Sequence, residues 1–434
     1  MGLAAWVHGR LVVDPGPGDR GLDPAVTRAV PRNFFLLLAS YVAMKFGDVL
    51  SNPKTVLAWL VTAVGAPAVM AGWLVPIRES GALIPQLWLS PWVARMPRRK
   101  WLWVAAAVAQ GLAIAAIAVT ALKLSGTAAG LCIGAALAVF ALARSLASLA
   151  TKDVVAKTIP LGQRGQLSGF STGLAGLAGL VGGLAMLAFG RVRHDVGVLF
   201  AVLVAAGALW GFAAAAYALI REPPSEPRGG SRKRSLPTRL GLLRSDAAFR
   251  DFVLTRTLLL ATALMTPYVV VLGHREIGGG LDVLGAFIVA DGIGAMVGAP
   301  LWGRLADLSS KRVLRVAGAL AGAAGMAAAG AATAFPGTEA SAWFLPLAYF
   351  ALALAHAGVR VGRSTYLVDF ASDGNRTDYV AVSNAVIGVL LLGIGAVGLL
   401  EVWLTLPGVL ALLAGLALAG AAYAGRLPEA EAAG

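Results

Sequence analysis

The part of the sequence that says most about the fold lies between two long apolar segments and reads Gly303-Arg304-Leu305-Ala306-Asp307-Leu308-Ser309-Ser310-Lys311-Arg312. Its basic pair has a counterpart 212 residues earlier, in Arg99-Lys100. The same spacing relates Glu79 to Asp291, Arg144 to His356, and Gly162-Gln163-Arg164 to Gly374-Asn375-Arg376. A fixed offset between similar features indicates that the chain is a duplication of two related halves.

The segments around these landmarks are apolar and long enough to cross a bilayer, which takes about 20 residues. Hydrophobic residues make up 58% of the chain and charged residues only 13%. We accept twelve segments, at 33–61, 67–90, 101–122, 128–148, 167–190, 197–220, 247–272, 282–302, 313–335, 342–362, 379–400 and 403–424. The sequence therefore predicts an all-α polytopic membrane protein with twelve transmembrane helices in two six-helix repeats.

Prolines and polar residues predict where these segments bend or end. The first segment carries Asn52-Pro53 and the seventh carries Pro267, so we expect both helices to bend toward their C-terminal ends. The glycines of the fifth segment indicate close helix packing. Residues 221–246 are polar, basic and rich in Pro and Gly, which is typical of a tether. The predicted organisation is an N-terminal arm at 1–32, a six-helix bundle at 33–220, a linker at 221–246, a second bundle at 247–424 and a tail at 425–434.

The distribution of basic residues predicts the orientation in the membrane. The net charge is +14, and 26 of the 36 Lys and Arg residues fall in or beside one alternating set of loops and the two termini. The positive-inside rule then places both termini in the cytoplasm. Arg98, Arg99 and Lys100 belong to this pattern. We expect the basic excess to contact anionic lipid in a bacterial inner membrane, and we expect no nucleic acid partner.

Enzyme signatures are absent from the sequence. The chain has no P-loop, no metalloprotease helix motif and no His and carboxylate cluster with metal-ligand spacing. Its single cysteine, Cys132, excludes an intrachain disulfide. We therefore expect no catalytic residues, no metal and no cofactor.

The stretch that contains Gly303 resembles the loop signature of the major facilitator superfamily, G-x-x-x-D-R/K-x-G-R/K-R/K. Gly303, Asp307, Lys311 and Arg312 match the pattern, whereas Leu308 and Ser310 depart from it. The first-half copy has Arg95 where the signature has its acid. The resemblance, to a bacterial branch of this superfamily, implies the twelve-helix transporter fold over residues 33–424. It also implies that Asp307, Lys311 and Arg312 form a charge lock in the outward-facing state. The alternative for Asp307 is a charge that only sets topology.

Ionisable residues within membrane helices usually face a cavity and carry function, and we single out nine of those in the predicted helices. They are Lys45, Asp48, Arg78, Glu79, Arg144, Arg256, Asp291, His356 and Arg360. Lys45 and Arg256 lie at nearly equivalent positions of the two halves, so each half presents a cation to an anionic group of a substrate. The alternative is internal pairing of Lys45 with Asp48 or Glu79, and of Arg256 with Asp291.

The carboxylates in the membrane are candidates for proton coupling. A carboxylate in a low-dielectric site can bind and release a proton near neutral pH. We therefore consider Glu79, Asp291 and Asp48 as proton carriers, with structural ion pairs as the alternative. For His356 we favour a packing role over a switch.

The function that this sequence favours is secondary active transport. We expect a monomer that moves a small, anionic organic solute across the inner membrane by alternating access, coupled to protons. A drug or lipid-like solute exporter is the alternative if the cations are paired internally. A transporter-like sensor or assembly partner that does not transport is the alternative of another class.

Overall fold

The computed structural model describes residues 8, 12, 27–190, 196–224, 241–370 and 376–429. Most of the predicted arm and the central part of the predicted linker lie outside the described residues. The same holds for residues 430–434 of the tail and for Gly374-Asn375 of the repeat.

The first half of the described chain, residues 27–224, is the N half. Its α-helices are α1 (Val30–Leu50), α2 (Val56–Ala63), α3 (Ala68–Leu83), α4 (Gln86–Ala94), α5 (Lys100–Lys123), α6 (Gly126–Thr158), α7 (Leu161–Phe189) and α8 (Val196–Ala218).

Residues 241–429 form the C half. Its α-helices are α9 (Leu242–Ser245), α10 (Ala247–Leu258), α11 (Ala261–Glu276), α12 (Leu281–Leu308), α13 (Ser310–Ala334), α14 (Glu339–Phe370), α15 (Arg376–Gly395) and α16 (Glu401–Tyr423).

The helices form twelve membrane crossings, as the sequence predicts. Ten helical stretches in the described part of the chain are long and apolar enough to span a bilayer. The last stretch, residues 379–426, contains both α15 and α16, and its two crossings are separated by a kink at Thr405, where φ is 60°. The remaining crossing is divided between α3 and α4, which meet at Ile84-Pro85.

The first crossing is interrupted at residues 51–55, where we expected a bend. The bend expected at Pro267 is wrong, because the seventh crossing breaks at Leu259-Leu260 and Pro267 lies inside α11. A proline removes the hydrogen bond to the carbonyl four residues earlier. Here the Thr266 hydroxyl donates to that carbonyl, on Ala263, at 2.8 Å, so the helix continues through Pro267.

Several helices are longer than the apolar pattern indicates. The predicted fourth crossing ends at residue 148, but α6 continues to Thr158, and the tenth crossing continues from residue 362 to Phe370. These extensions are polar because they leave the apolar part of the membrane while keeping their helical hydrogen bonds. They place Asp153, Lys157 and Arg363 on helices rather than in loops.

The two halves meet along two seams, α3 with α15 and α7 with α12. We call the side of the molecule at Val30 and Tyr423 the terminal face and the opposite side the outer face. The seams are tightest near the outer face, where a Cβ on Gly285 would lie 2.5 Å from the Leu187 nitrogen. The hydroxyl of Tyr268 likewise fills the space between Gly72 and Gly398. This packing closes the space between the halves at the outer face and leaves it open toward the terminal face.

The predicted close packing of the glycines in the fifth crossing is only partly correct. A Cβ on Gly179 or Gly183 would contact neighbouring side chains, but one on Gly169, Gly173 or Gly176 would meet open space. The tightly packed glycines lie nearer the outer face. Gly173 and Gly176 line a cavity between the halves.

Candidate functional site

A cavity of about 260 Å³ lies between the two halves, and we call it the central cavity. Helices from both repeats position its charged side chains: α1 and α3 from the N half, and α12 and α14 from the C half. Six of the nine residues predicted within the membrane line it, namely Asp48, Arg78, Glu79, Asp291, His356 and Arg360. The duplication thus brings together ionisable groups that are distant in sequence.

Asp48 of α1 is paired with two arginines of the N half. Its Oδ1 accepts from Arg78 at 2.5 Å, and its Oδ2 accepts from Arg144 at 2.7 Å. The guanidinium groups also lie over aromatic rings, Arg78 over Phe140 and Arg144 over Trp210. The alternative that Lys45 pairs with Asp48 is not what the structure shows.

Lys45 lies outside the central cavity. Its ammonium donates to the hydroxyls of Ser171 at 2.8 Å and Thr172 at 2.6 Å, both on α7. Although Lys45 and Asp48 are three residues apart, Lys45 faces α7 whereas Asp48 faces α3 and α6. The neighbouring helices, rather than the sequence spacing, therefore decide their partners.

Asp291 joins the two halves across the central cavity. Its Oδ2 accepts from the Asn52 amide of the N half and its Oδ1 from the Tyr349 hydroxyl of the C half, each at 3.3 Å. It does not pair with Arg256, the alternative that the sequence left open. Both donors are neutral, so the strength of this contact between the halves depends on the protonation of Asp291 itself.

Lys54 is a cavity residue that the sequence did not indicate. It belongs to the first predicted segment but was not among the nine residues singled out, and the interruption of the first crossing at residues 51–55 places it in the cavity wall. It lies within electrostatic range of Asp291, Glu79, Arg360 and Arg363. Among the described residues, the side chains of Lys54, Glu79 and Arg360 form no hydrogen bond or ion pair.

Arg256 lies behind the cavity in the C half and has only neutral partners. It donates to the Ser383 hydroxyl at 2.6 Å and to the Asn384 amide oxygen at 3.0 Å. Its Nε is buried without a partner in the described structure. Arg363 is close enough to affect it electrostatically. Ser383 and Asn384 were missed, although a polar pair inside an apolar segment was a signal for them.

His356 has both a hydrogen bond typical of a packing residue and a position in the cavity wall that would suit a switch. Its Nδ1 lies 3.2 Å from the Thr262 hydroxyl, which is the hydrogen bond expected of a packing residue. Its ring also lines the central cavity. Its role as packing residue or switch stays a prediction.

The predicted charge lock at the terminal face involves α12 and α13. Asp307 is exposed and forms no ion pair with any described residue. Lys311 instead lies 3.8 Å from Glu429, which also accepts from the Ser309 hydroxyl at 2.8 Å. The lock is therefore not formed here, and Gly303, Arg312 and the lock itself remain predictions.

Arg99 and Lys100 do more than set topology, which corrects our assignment. Arg99 pairs with Asp153, and the backbone nitrogens of Arg99 and Lys100 donate to Glu222 at 3.0 and 2.8 Å. Lys157 contacts both acids. The loop signature has an acid at the position of Arg95, and here Asp153 and Glu222, from elsewhere in the N half, provide the negative charge instead. Glu222 is therefore a packed residue, although we assigned it to a tether.

No group of three or more His, Cys, Asp or Glu in the described ranges is placed to hold a metal ion. The polar groups that line the central cavity are instead ion-paired, hydrogen-bonded to neutral side chains, or charged without a described partner.

Comparison with known proteins identifies the family. The sequence matches the Major Facilitator Superfamily over residues 37–389, and no curated protein sequence matches the chain. A POT family transporter in complex with a thioalcohol-conjugated peptide is similar in structure, with a TM-score of 0.68 at 11% identity over 90% of this chain and 95% of that chain. A D-xylose–proton symporter gives 0.67 at 16% identity, over 92% and 98%. The inward-open xylose transporter XylE from E. coli gives 0.60 at 14% identity, over 91% and 96%. Together with a family match over most of the sequence, the shared fold shows that this chain is a membrane transporter that belongs to the Major Facilitator Superfamily.

Proposed function

We propose that this transporter moves a small organic solute with an anionic group, coupled to protons, by alternating access. The observation that carries the proposal is the position of Lys54 and Arg360. Both cations line the central cavity, and neither forms an ion pair with a described residue. Lys54 is half-buried and Arg360 is exposed where they line the cavity, so a solute can reach both, and its carboxylate or phosphate would form charge-assisted hydrogen bonds with them.

The balance of charge around the cavity supports an anionic solute. Lys54, Arg78 and Arg360 line it together with the carboxylates Asp48, Glu79 and Asp291. Two more cations lie directly behind, Arg144 and Arg363, with Arg144 sharing Asp48. The surroundings are therefore cationic overall, and they become more so when a carboxylate is protonated.

Asp291 is the carboxylate best placed to couple protons to movement. Its hydrogen bond from Asn52 crosses between the halves. Protonation removes the charge that this contact depends on and also releases the nearby cations Lys54 and Arg360 to bind the solute. Glu79 is the second candidate. Asp48, held by two guanidinium groups, is the least suited of the three.

The arrangement of the two halves suits alternating access. The seams are packed at the outer face, and rocking of one half against the other would open them and close the terminal face. In that second state Asp307 would come close to basic groups and form the predicted lock. The positive-inside rule supports a cytoplasmic terminal face, and with that orientation in the inner membrane the proposed cycle makes this conformation the inward-facing one.

Binding of anions by the purified protein tests this proposal. Thermal unfolding is followed with short carboxylates, organic phosphates, sugars, amino acids and lipophilic cations, because a ligand of the folded state raises Tm. We expect an anion to bind, and Arg360→Gln to weaken it at least about tenfold, as expected for loss of a charged hydrogen bond.

Arg250→Gln is the matched control, since Arg250 is an exposed arginine at the start of α10 and does not line the cavity. Equal anion binding by the wild type and Arg360→Gln would refute the proposed site. Binding of lipophilic cations alone would instead favour the exporter.

A further inference from the structure

A second cavity, of about 320 Å³, adjoins the central cavity between α7 and α12. The two cavities share Val49, Asn52, Asp291 and Ala295. Apart from these and the hydroxyls of Thr55 and Thr172, the second cavity is lined by Gly, Ala, Leu, Ile and Met. We call it the lateral groove.

The lateral groove reaches the surface that faces lipid. Leu177 of α7 and Met296 of α12 line it and are 59% and 63% exposed. Each is at least twelve residues from either end of its helix, or about 18 Å at 1.5 Å per residue. At this depth the surroundings of a transmembrane protein are acyl chains rather than water.

Glycines keep the groove open toward the terminal face. A Cβ built on Gly173, Gly176 or Gly292 would have no neighbour within 4 Å. Nearer the outer face, a Cβ on Gly183 would lie 2.9 Å from Ile288. The helices α7 and α12 therefore touch at the outer face and diverge below it, and the groove is the resulting gap.

We propose that the lateral groove holds the apolar tail of an anionic amphiphile whose head group occupies the central cavity. This inference rests on the proposed function, because the head group is the anionic group assigned there to Lys54 and Arg360. An apolar tail gains little in a cavity of charged side chains, and a charged head is costly in an apolar groove. The two joined cavities match the two parts of such a molecule, which would enter from the bilayer.

Chain-length dependence of binding tests the inference. The protein is placed in nanodiscs of a neutral phospholipid, and butyrate and octanoate compete with radiolabelled octanoate. Burial of each methylene strengthens binding about fourfold, so octanoate is expected to bind on the order of 100-fold more tightly than butyrate. Part of this ratio reflects partition into lipid, which is the same for every variant.

Two variants isolate the contribution of the groove. Gly176→Leu adds a side chain to the groove where its Cβ meets no atom within 4 Å, and is expected to weaken octanoate at least about tenfold, while butyrate changes less than about twofold. The matched control is Gly211→Leu, since Gly211 is an exposed glycine of α8 with open space around it, away from both cavities. Met296→Trp fills the groove from the opposite wall and should reproduce the selective loss.

The outcomes separate the inference from the function on which it rests. If Gly176→Leu and Met296→Trp bind both anions as the wild type does, the groove does not hold the tail, and the anionic site still stands. If neither anion binds the wild type while a neutral or cationic solute does, the proposed function fails and the inference fails with it. Selective loss of octanoate in both variants would support the inference.

Discussion

At the scale of single residues, the partners of a buried carboxylate decide what it can do. Each oxygen of Asp48 accepts from a guanidinium, at 2.5 and 2.7 Å, so the ionised form is held by two positive charges. Each oxygen of Asp291 accepts from a neutral group at 3.3 Å. Two acids in one cavity thus differ in their surroundings: Asp48 ties three helices of the N half together, whereas Asp291 has only neutral donors, which is why we propose it as the proton carrier.

We expect Asp291→Asn to separate binding from coupling. The amide oxygen still accepts a hydrogen bond from Asn52 or Tyr349, so the cavity keeps its shape, but the proton site is lost. In proteoliposomes, exchange of a bound anion should persist within a few fold, whereas accumulation driven by a pH gradient should disappear. Glu79→Gln, at the equivalent position of the repeat, is the matched comparison. Gradient-driven accumulation by Asp291→Asn at the wild-type level would exclude Asp291 as the carrier.

At the scale of secondary-structure elements, each half has a glutamate beyond its last crossing that accepts hydrogen bonds at the N-terminus of its third crossing. The first four N–H groups of a helix have no partner within it. Glu222, beyond α8, accepts from two backbone nitrogens at the start of α5. Glu429, beyond α16, accepts from Ser309, the N-cap of α13. The last crossing of each half is thereby fastened to the third.

Removing the first of these caps should be costly. The Glu222 carboxylate is fully buried and also pairs with Lys157. Glu222→Ala leaves that cation and two backbone nitrogens without their partner, so we expect a loss of about 3 kcal/mol and a lower Tm in thermal unfolding. Glu429→Ala is the comparison, because Glu429 is 49% exposed and water can replace it. If both substitutions lowered the free energy of unfolding equally, burial would not explain the contribution of Glu222.

The sequence predicts helices well where the physical signal is local. Twelve apolar crossings, the duplication and the interruption near Pro53 follow from composition and pattern, and they are confirmed. The break of the seventh crossing was misplaced because the Thr266 hydroxyl compensates Pro267, which is an interaction that spacing does not reveal.

The candidate site was predictable as a set of residues but not as a set of contacts. Intramembrane charge identified six residues that line the central cavity. Their pairing depended on which neighbouring helix each side chain faces, so Lys45 and Arg256 were assigned the wrong alternative partners. Lys54 was missed because its place in the cavity wall follows from the interruption of the first crossing at residues 51–55, whose exact position the sequence does not give.

At the scale of the whole molecule, the two halves are packed together at the outer face, which under the proposed function is one of the two states of the transport cycle. The contacts between the halves in the described structure are concentrated toward the outer face, including those at Gly285 and Tyr268. Labelling of two engineered cysteines, each in its own variant, reports both the orientation of the chain in the membrane and the side from which its cavity is accessible. The native Cys132 is exposed on α6 and must first be replaced by serine.

We expect Ala295→Cys and Thr338→Cys to react from opposite sides of the membrane. Ala295 lines both cavities, and Thr338 is exposed between α13 and α14 at the outer face. A membrane-impermeant thiol reagent should label the Thr338→Cys variant in whole cells and the Ala295→Cys variant in inside-out vesicles. A reversed orientation would exchange both patterns, because it moves the outer face to the cytoplasm. An outward-facing resting state would instead change only the Ala295→Cys variant, which would become reactive in whole cells, while the Thr338→Cys variant is labelled in whole cells in either state. The two positions therefore separate an error in topology from an error in conformation.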